Sequence, residues 1–167
     1  MSDIIGDWIQ ESINKRRVRS LDKRLRELAG ALESGQPISG TFDAALHEMT
    51  YELKYATYPP GRWRPPRWRA GRVRVSPSAV TWESRGLMAN RVHDLSSGIC
   101  TGDRQPDWPG LDIGLTRLHR YLAGSIQVLA LRVGAEDIEL AASTRALEIL
   151  RSGLARVQGS PGGAMGA

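Results

Sequence analysis

Three histidines and one cysteine are the residues of this 167-residue chain suited to acid–base, nucleophilic or metal chemistry near neutral pH. His47 stands beside Glu48 and His93 beside Asp94, pairs that could share a proton if both side chains reached one point. Neighbours on a strand point to opposite faces, however, so adjacency works against either pair. His119 lies between Arg117 and Arg120, which suits an exposed face. Cys100 is the sole cysteine, so it can form no internal disulfide and no multi-cysteine zinc site. Its context, Ser97-Gly98-Ile99-Cys100, has no local sign of an activated thiolate, and a buried structural cysteine is the plainer reading. G-x-S-x-G, H-E-x-x-H, the P-loop and G-x-G-x-x-G are all missing. No catalytic residue, metal ligand or cofactor is assigned, and the expectation is a protein that binds rather than catalyses.

The chemistry of binding is better represented. Net charge is +5 but unevenly spread. The stretch from Lys15 to Arg26 holds seven basic residues against Asp22, and the stretch from Gly61 to Val75 holds six arginines and no acid. Two segments of +6 leave the rest of the chain acidic, at −7. Such a contrast points to partners of negative charge. In the first segment Lys15, Arg16, Arg17, Arg19 and Arg24 follow an apolar series that includes Trp8. In the second, Arg62, Trp63, Arg64, Arg67, Trp68 and Arg69 interleave guanidinium groups and indoles around Pro65-Pro66. Arg and Trp dominate protein–protein hot spots, and the same pair can grip phosphate and stack on bases. The plain alternative is that each indole folds over the body while its arginines stay in water.

The elements that must hold these residues follow from periodicity. Ile4, Ile5, Trp8, Ile9 and Ile13 make one helical stripe, and Val18, Leu21, Leu25, Leu28 and Leu32 a second. On one rod the two point to nearly opposite sides. Either the helix breaks between Asn14 and Ser20, with Ser20 as a new cap, or one rod shows different faces to different partners. Glu33-Ser34-Gly35-Gln36-Pro37 is a stop. Residues 40–58 carry both helical spacing (Phe42, Leu46, Met49, Leu53) and β-prone residues. Prolines make Tyr58 to Arg69 a stiff, exposed connection. Arg72-Val73-Arg74-Val75, a Ser76-Pro77-Ser78 turn and Ala79 to Glu83 form a hairpin. A weaker strand covers Asn90 to Leu95 and another Ile99 to Thr101. Gly102 to Gly114 reads as loop, and Leu115 to Leu122 as a short helix or strand. Ser125 to Val133 is a strand, Gly134-Ala135-Glu136 turns, and Asp137 to Ala141 returns. Ser143 caps a last helix with Leu147, Leu150, Leu154 and Val157 on one face. Strands clustered rather than alternating with helices argue for an α+β fold. The expectation is an N-terminal helical arm (1–36), a curved antiparallel sheet or partly open β-barrel closed by a C-terminal helix (37–158), and a disordered tail (159–167).

That order resembles the pleckstrin-homology-like superfold, in which a C-terminal helix plugs a bent barrel. Gly40-Thr41-Phe42-Asp43, Gly61-Arg62-Trp63-Arg64, the Gly71-to-Trp82 hairpin and Ile138-Glu139-Leu140-Ala141 are also similar to an actinobacterial family of short membrane proteins of unknown function. The resemblance implies strand over residues 40–47 and carries over no catalytic residue. The chain departs from that family in its N-terminal segment, which is amphipathic and charged rather than spanning.

The expected mode of action is docking of the basic helix and the Arg/Trp loop onto an acidic protein or an anionic membrane surface. Single-stranded nucleic acid is the alternative, and no helix-turn-helix or zinc finger accompanies it. Asp3, Asp7 and Glu11 stand among the apolar residues of the first stripe and would be repelled by an anionic surface. Leu21, Leu25, Leu28 and Leu32 could pair with a second copy, although barely two heptads are present, or dock on the β body. With no apolar run near the roughly 18 residues of a spanning helix and no leader pattern, a cytoplasmic protein with peripheral membrane contact is expected.

Overall fold

The structure, a computed structural model, describes residues 2–36, 39–48, 68–84, 91–105 and 126–159, with the side chains of the first helix from Lys15 onward. The first helix, α1, is unbroken over Ser2–Glu33. No proline or glycine interrupts residues 7–29, so nothing in the backbone forces the break that the two stripes suggested. The helix stops where Gly35 turns left-handed at φ 72°. Gly35 N–H donates to the Leu32 carbonyl and Gln36 N–H to the Ala31 carbonyl, both at 3.1 Å, the double closure of a Schellman cap.

Seven strands follow: β1 (Gly40–Glu48), β2 (Arg69–Val75), β3 (Val80–Ser84), β4 (Val92–Asp94), β5 (Ile99–Arg104), β6 (Ile126–Val133) and β7 (Glu136–Ser143). They form one antiparallel sheet in the order β4-β3-β2-β1-β7-β6-β5, curved into a half-barrel. The ambiguous segment is strand because β1 is paired on both sides, with Phe42 opposite Val73 and Leu46 opposite Leu140. Those pairings outweigh the helical propensity of Ala44 to Glu48. β5 runs through Gly102 to Arg104, where a loop was expected, and absorbs one irregular step between Cys100 and Gly102 in its ladder with β6. Gly134, at φ 61°, makes the two-residue turn between β6 and β7.

The last helix, α2 (Thr144–Gly159), begins where Ser143 Oγ accepts from Ala146 N–H at 3.3 Å. It buries Ala146, Leu147, Ile149, Leu150 and Leu154 against one sheet face, where Phe42, Leu46, Val73, Trp82, Leu129 and Leu140 complete the main core. Trp82 lies flat across β2, and its Nε1–H donates to the Ala44 carbonyl at 3.1 Å. Only glycine allows this crossing, since a Cβ on Gly71 would stand 2.3 Å from the indole. A second, smaller core of Ala45, Trp68, Ile126, Val128 and Ala141 lies on the other face. The α+β fold and its closing helix are as expected. The expected strand or helix at 115–122 and the tail beyond Gly159 lie outside the described residues.

Gly71→Ala is therefore expected to destabilise the protein by about 2 kcal/mol or more, by overpacking against Trp82. Gly102→Ala meets nothing within 4 Å and should stay within about 0.5 kcal/mol of the parent. Urea unfolding of both variants measures this, and equal midpoints would contradict the crossing.

Candidate functional site

The basic residues of α1 are placed by how the helix is clamped. Leu25, Leu28, Ala29 and Leu32 pack on the main core, and Leu28 fills the space beside Gly40. Asp22 accepts from Arg145 of α2 at 3.1 Å, and Arg156 of α2 donates to the carbonyls of Gln36 at 2.7 Å and Leu32 at 3.3 Å. A guanidinium there meets the negative end of the helix. From Lys15 onward the half-buried positions Val18, Leu21, Asp22, Leu25, Leu28 and Leu32 follow one line at helical spacing. Three of the four leucines considered for self-association, Leu25, Leu28 and Leu32, are thus engaged by the protein's own body, the intramolecular alternative.

The basic residues lie off that line and are wet. Lys15, Arg16, Arg17, Arg19, Lys23, Arg24 and Arg26 are exposed. Lys23 pairs with Glu27 at 3.9 Å and Arg26 with Asp22 at 2.8 Å, pairs at helical i,i+4 spacing with modest energies. Arg16, Arg17, Arg19 and Arg24 meet no carboxylate among the described residues. They concentrate positive charge on about two turns of one exposed rod. Trp8 belongs to the same helix.

The proline-rich segment yields less. Arg62, Trp63, Arg64 and Arg67 lie outside the described residues. Trp68 corrects the expectation of an exposed indole: it is 7% exposed, inside the second core, with its ring 5.1 Å from that of His47. An indole so placed offers no face for stacking on a base. Arg69, half-buried, opens β2. Cys100 is exposed on β5, against the expectation of a buried thiol.

Sequence reasoning missed two histidine–carboxylate contacts. His47 and Glu48 do point to opposite faces, as strand geometry demands, yet each finds a partner across the sheet. His47 Nδ1 donates to Glu139 Oε2 at 3.2 Å, and Arg104 grips the same carboxylate through Nε to Oε1 at 2.8 Å and Nη2 to Oε2 at 2.7 Å. In the ladder Ala130 stands between Glu139 and Gly102, two residues before Arg104 on β5. On the other face His93 Nε2 lies 2.9 Å from Glu48 Oε1, linking the edge strand β4 to β1. The only sequence signal was the residue types. The partners stand 92 positions apart, and only strand register brings His47 to Glu139. With side chains 7% and 14% exposed, the His47–Glu139 pair is an interior strut rather than an open reaction site.

Burial pushes the Glu139 carboxyl up, but hydrogen bonds from His47 and Arg104 together with the guanidinium charge outweigh it and hold the pKa at about 2, below the ordinary 4.5. A depressed carboxylate pKa contributes stability that is complete above the unfolded value and disappears as pH falls through the folded one. Glu139→Gln should therefore lower stability at neutral pH, with the deficit against the parent shrinking between pH 4.5 and about 2. Urea midpoints across that range measure it, and a deficit independent of pH would contradict the strut. No family profile and no curated protein matches the chain, so the resemblance to an actinobacterial family gains no support. Among solved structures the chain is similar to one of Vav1 inhibited by an allosteric inhibitor, where the inhibitors block GEF activity. Identity is 13% and the TM-score 0.30, over 86% of this chain and 23% of that one, so the chain spans under a quarter of the protein it matches.

Proposed function

We propose that the protein is a non-catalytic docking module whose β body holds out a basic helix toward a surface dense in negative charge. One observation carries this reading: Arg16, Arg17, Arg19 and Arg24 are exposed and meet none of the described carboxylates. In the body Arg132 pairs with Asp137, Arg145 with Asp22 of α1 and Arg151 with Asp103, whereas Arg74 and Arg91 are exposed and meet none of the described carboxylates. Four such arginines within nine residues of one helix concentrate positive charge there.

A seven-stranded antiparallel sheet closed by a C-terminal helix supports the finer reading of a pleckstrin-homology-like body acting as scaffold. Arg62, Trp63, Arg64 and Arg67 are the second basic element of the proposal. The single-stranded nucleic-acid alternative loses one of its two indoles, since Trp68 is buried. A homodimer through Leu25, Leu28 and Leu32 would have to displace a contact these residues already make.

The full chain is expected to bind polyglutamate-coated beads or phosphatidylserine-containing vesicles in a salt-sensitive way. Reversing charge at Arg16, Arg17, Arg19 and Arg24 to Glu should weaken that binding by more than about a hundredfold. Arg74→Glu with Arg91→Glu, at two exposed arginines of the body, should change it by less than about threefold. Equal losses in the two variants, or no binding to either surface, would overturn the proposal.

A further inference from the structure

Continuity of α1 decides what shares a face with those arginines. In an unbroken helix each residue advances about 100°, so residue number alone places every position relative to the Leu25–Leu32 line that meets the body. Ile5, Trp8, Ile9 and Ile13 fall on an arc centred about 170° from that line, while Ile4 falls about 60° from the line. Arg16 and Lys23 continue the same arc within about 20° of its far side, and Arg19 falls about 120° from the leucine line. Lys15 and Arg26 border it on one flank, Arg17 and Arg24 on the other. Asp3, Asp7 and Glu11 lie within about 40° of the leucine line. They are neighbours of the isoleucines in sequence, and helical spacing sets their positions on the opposite side of the rod from Ile5, Ile9 and Ile13.

Opposite the leucine line, then, helical spacing sets an apolar series with a tryptophan over residues 5–13, ahead of a basic series from Arg16 onward. The acids of that half lie on the other side. Glu27, which falls on the outward arc, is engaged by Lys23, and Asp22, half-buried on the body side, by Arg26 and Arg145. An acidic protein would be met by the basic strip alone, and the isoleucine strip would gain nothing from it. A bilayer with anionic headgroups has both halves of the matching chemistry, an acyl boundary for isoleucine and tryptophan and phosphate and carboxylate for arginine. Among the described residues no helix is long and apolar enough to cross a membrane. We infer that α1 lies in the interface of an anionic lipid bilayer, with Ile5, Trp8, Ile9 and Ile13 at the acyl boundary and Arg16, Arg19 and Lys23 against headgroups. This rests on the docking proposed above and names its partner.

The test compares three probes: vesicles of phosphatidylcholine with about a third phosphatidylserine, pure phosphatidylcholine vesicles, and polyglutamate-coated beads. The full chain should co-sediment with the mixed vesicles at least about tenfold more tightly than with either other probe. Ile5→Ser with Ile9→Ser should lose at least about tenfold on mixed vesicles and leave any bead binding unchanged. As a readout that needs no apolar substitution, brominated acyl chains should quench tryptophan fluorescence in the parent but not in Trp8→Phe. Full vesicle binding by the double serine variant, or quenching unaffected by Trp8→Phe, would overturn insertion while charge docking stands. Beads bound as tightly as mixed vesicles would overturn the lipid partner in favour of an acidic protein. No binding to any probe would overturn the docking reading itself.

Discussion

Leu25, Leu28, Ala29 and Leu32 can meet the main core along one line of α1 only, and that line determines what the rest of the helix presents. Arg156 holds the carbonyl end, Arg145 ties down Asp22, and Gly40 leaves room for Leu28 to lie close to β1. Apolar burial drives the contact, and these directional bonds select one rotation of the helix about its axis. Once that rotation is set, helical geometry assigns every upstream position to one side or the other. The two stripes that looked like a conflict lie on one unbroken rod.

The body treats charge in another way. Glu139 is held by His47 and Arg104, Asp137 by Arg132, Asp103 by Arg151, and Asp94 by the amide and hydroxyl of Ser96, which lower its pKa. These local closures satisfy the charged groups that they join.

Much of this was legible in residue order, and the exceptions have physical causes. The β2–β3 hairpin and the β6–β7 pair could be read because alternation and turn residues act over a few positions. The final helix was readable from its serine cap and leucine face. β1 was not, since Ala44 to Glu48 favours helix locally and only pairing with β2 and β7 makes it a strand. Gly102 to Arg104 looked like loop for the same reason, until a ladder with β6 was available. Trp68 sits at the junction of a proline-rich stretch and β2, where composition says exposed and the second core says buried. The histidine pairs depend on register, which no short window of sequence contains. The basic arm was visible from charge alone, but which residues share its free side required knowing that the helix does not break.

The most direct measurement is a nitroxide scan of α1 in a Cys100→Ser background, one labelled position at a time from 4 to 32, reading collision with polar and apolar quenchers. In solution the account predicts an oscillation of about 3.6 residues without change of phase, with protection at 18, 21, 25, 28 and 32. With anionic vesicles, contact with lipid should rise at 5, 8, 9 and 13, in antiphase to that protection. A jump in phase between 14 and 20, or lipid contact centred on 3, 7 and 11, would contradict it.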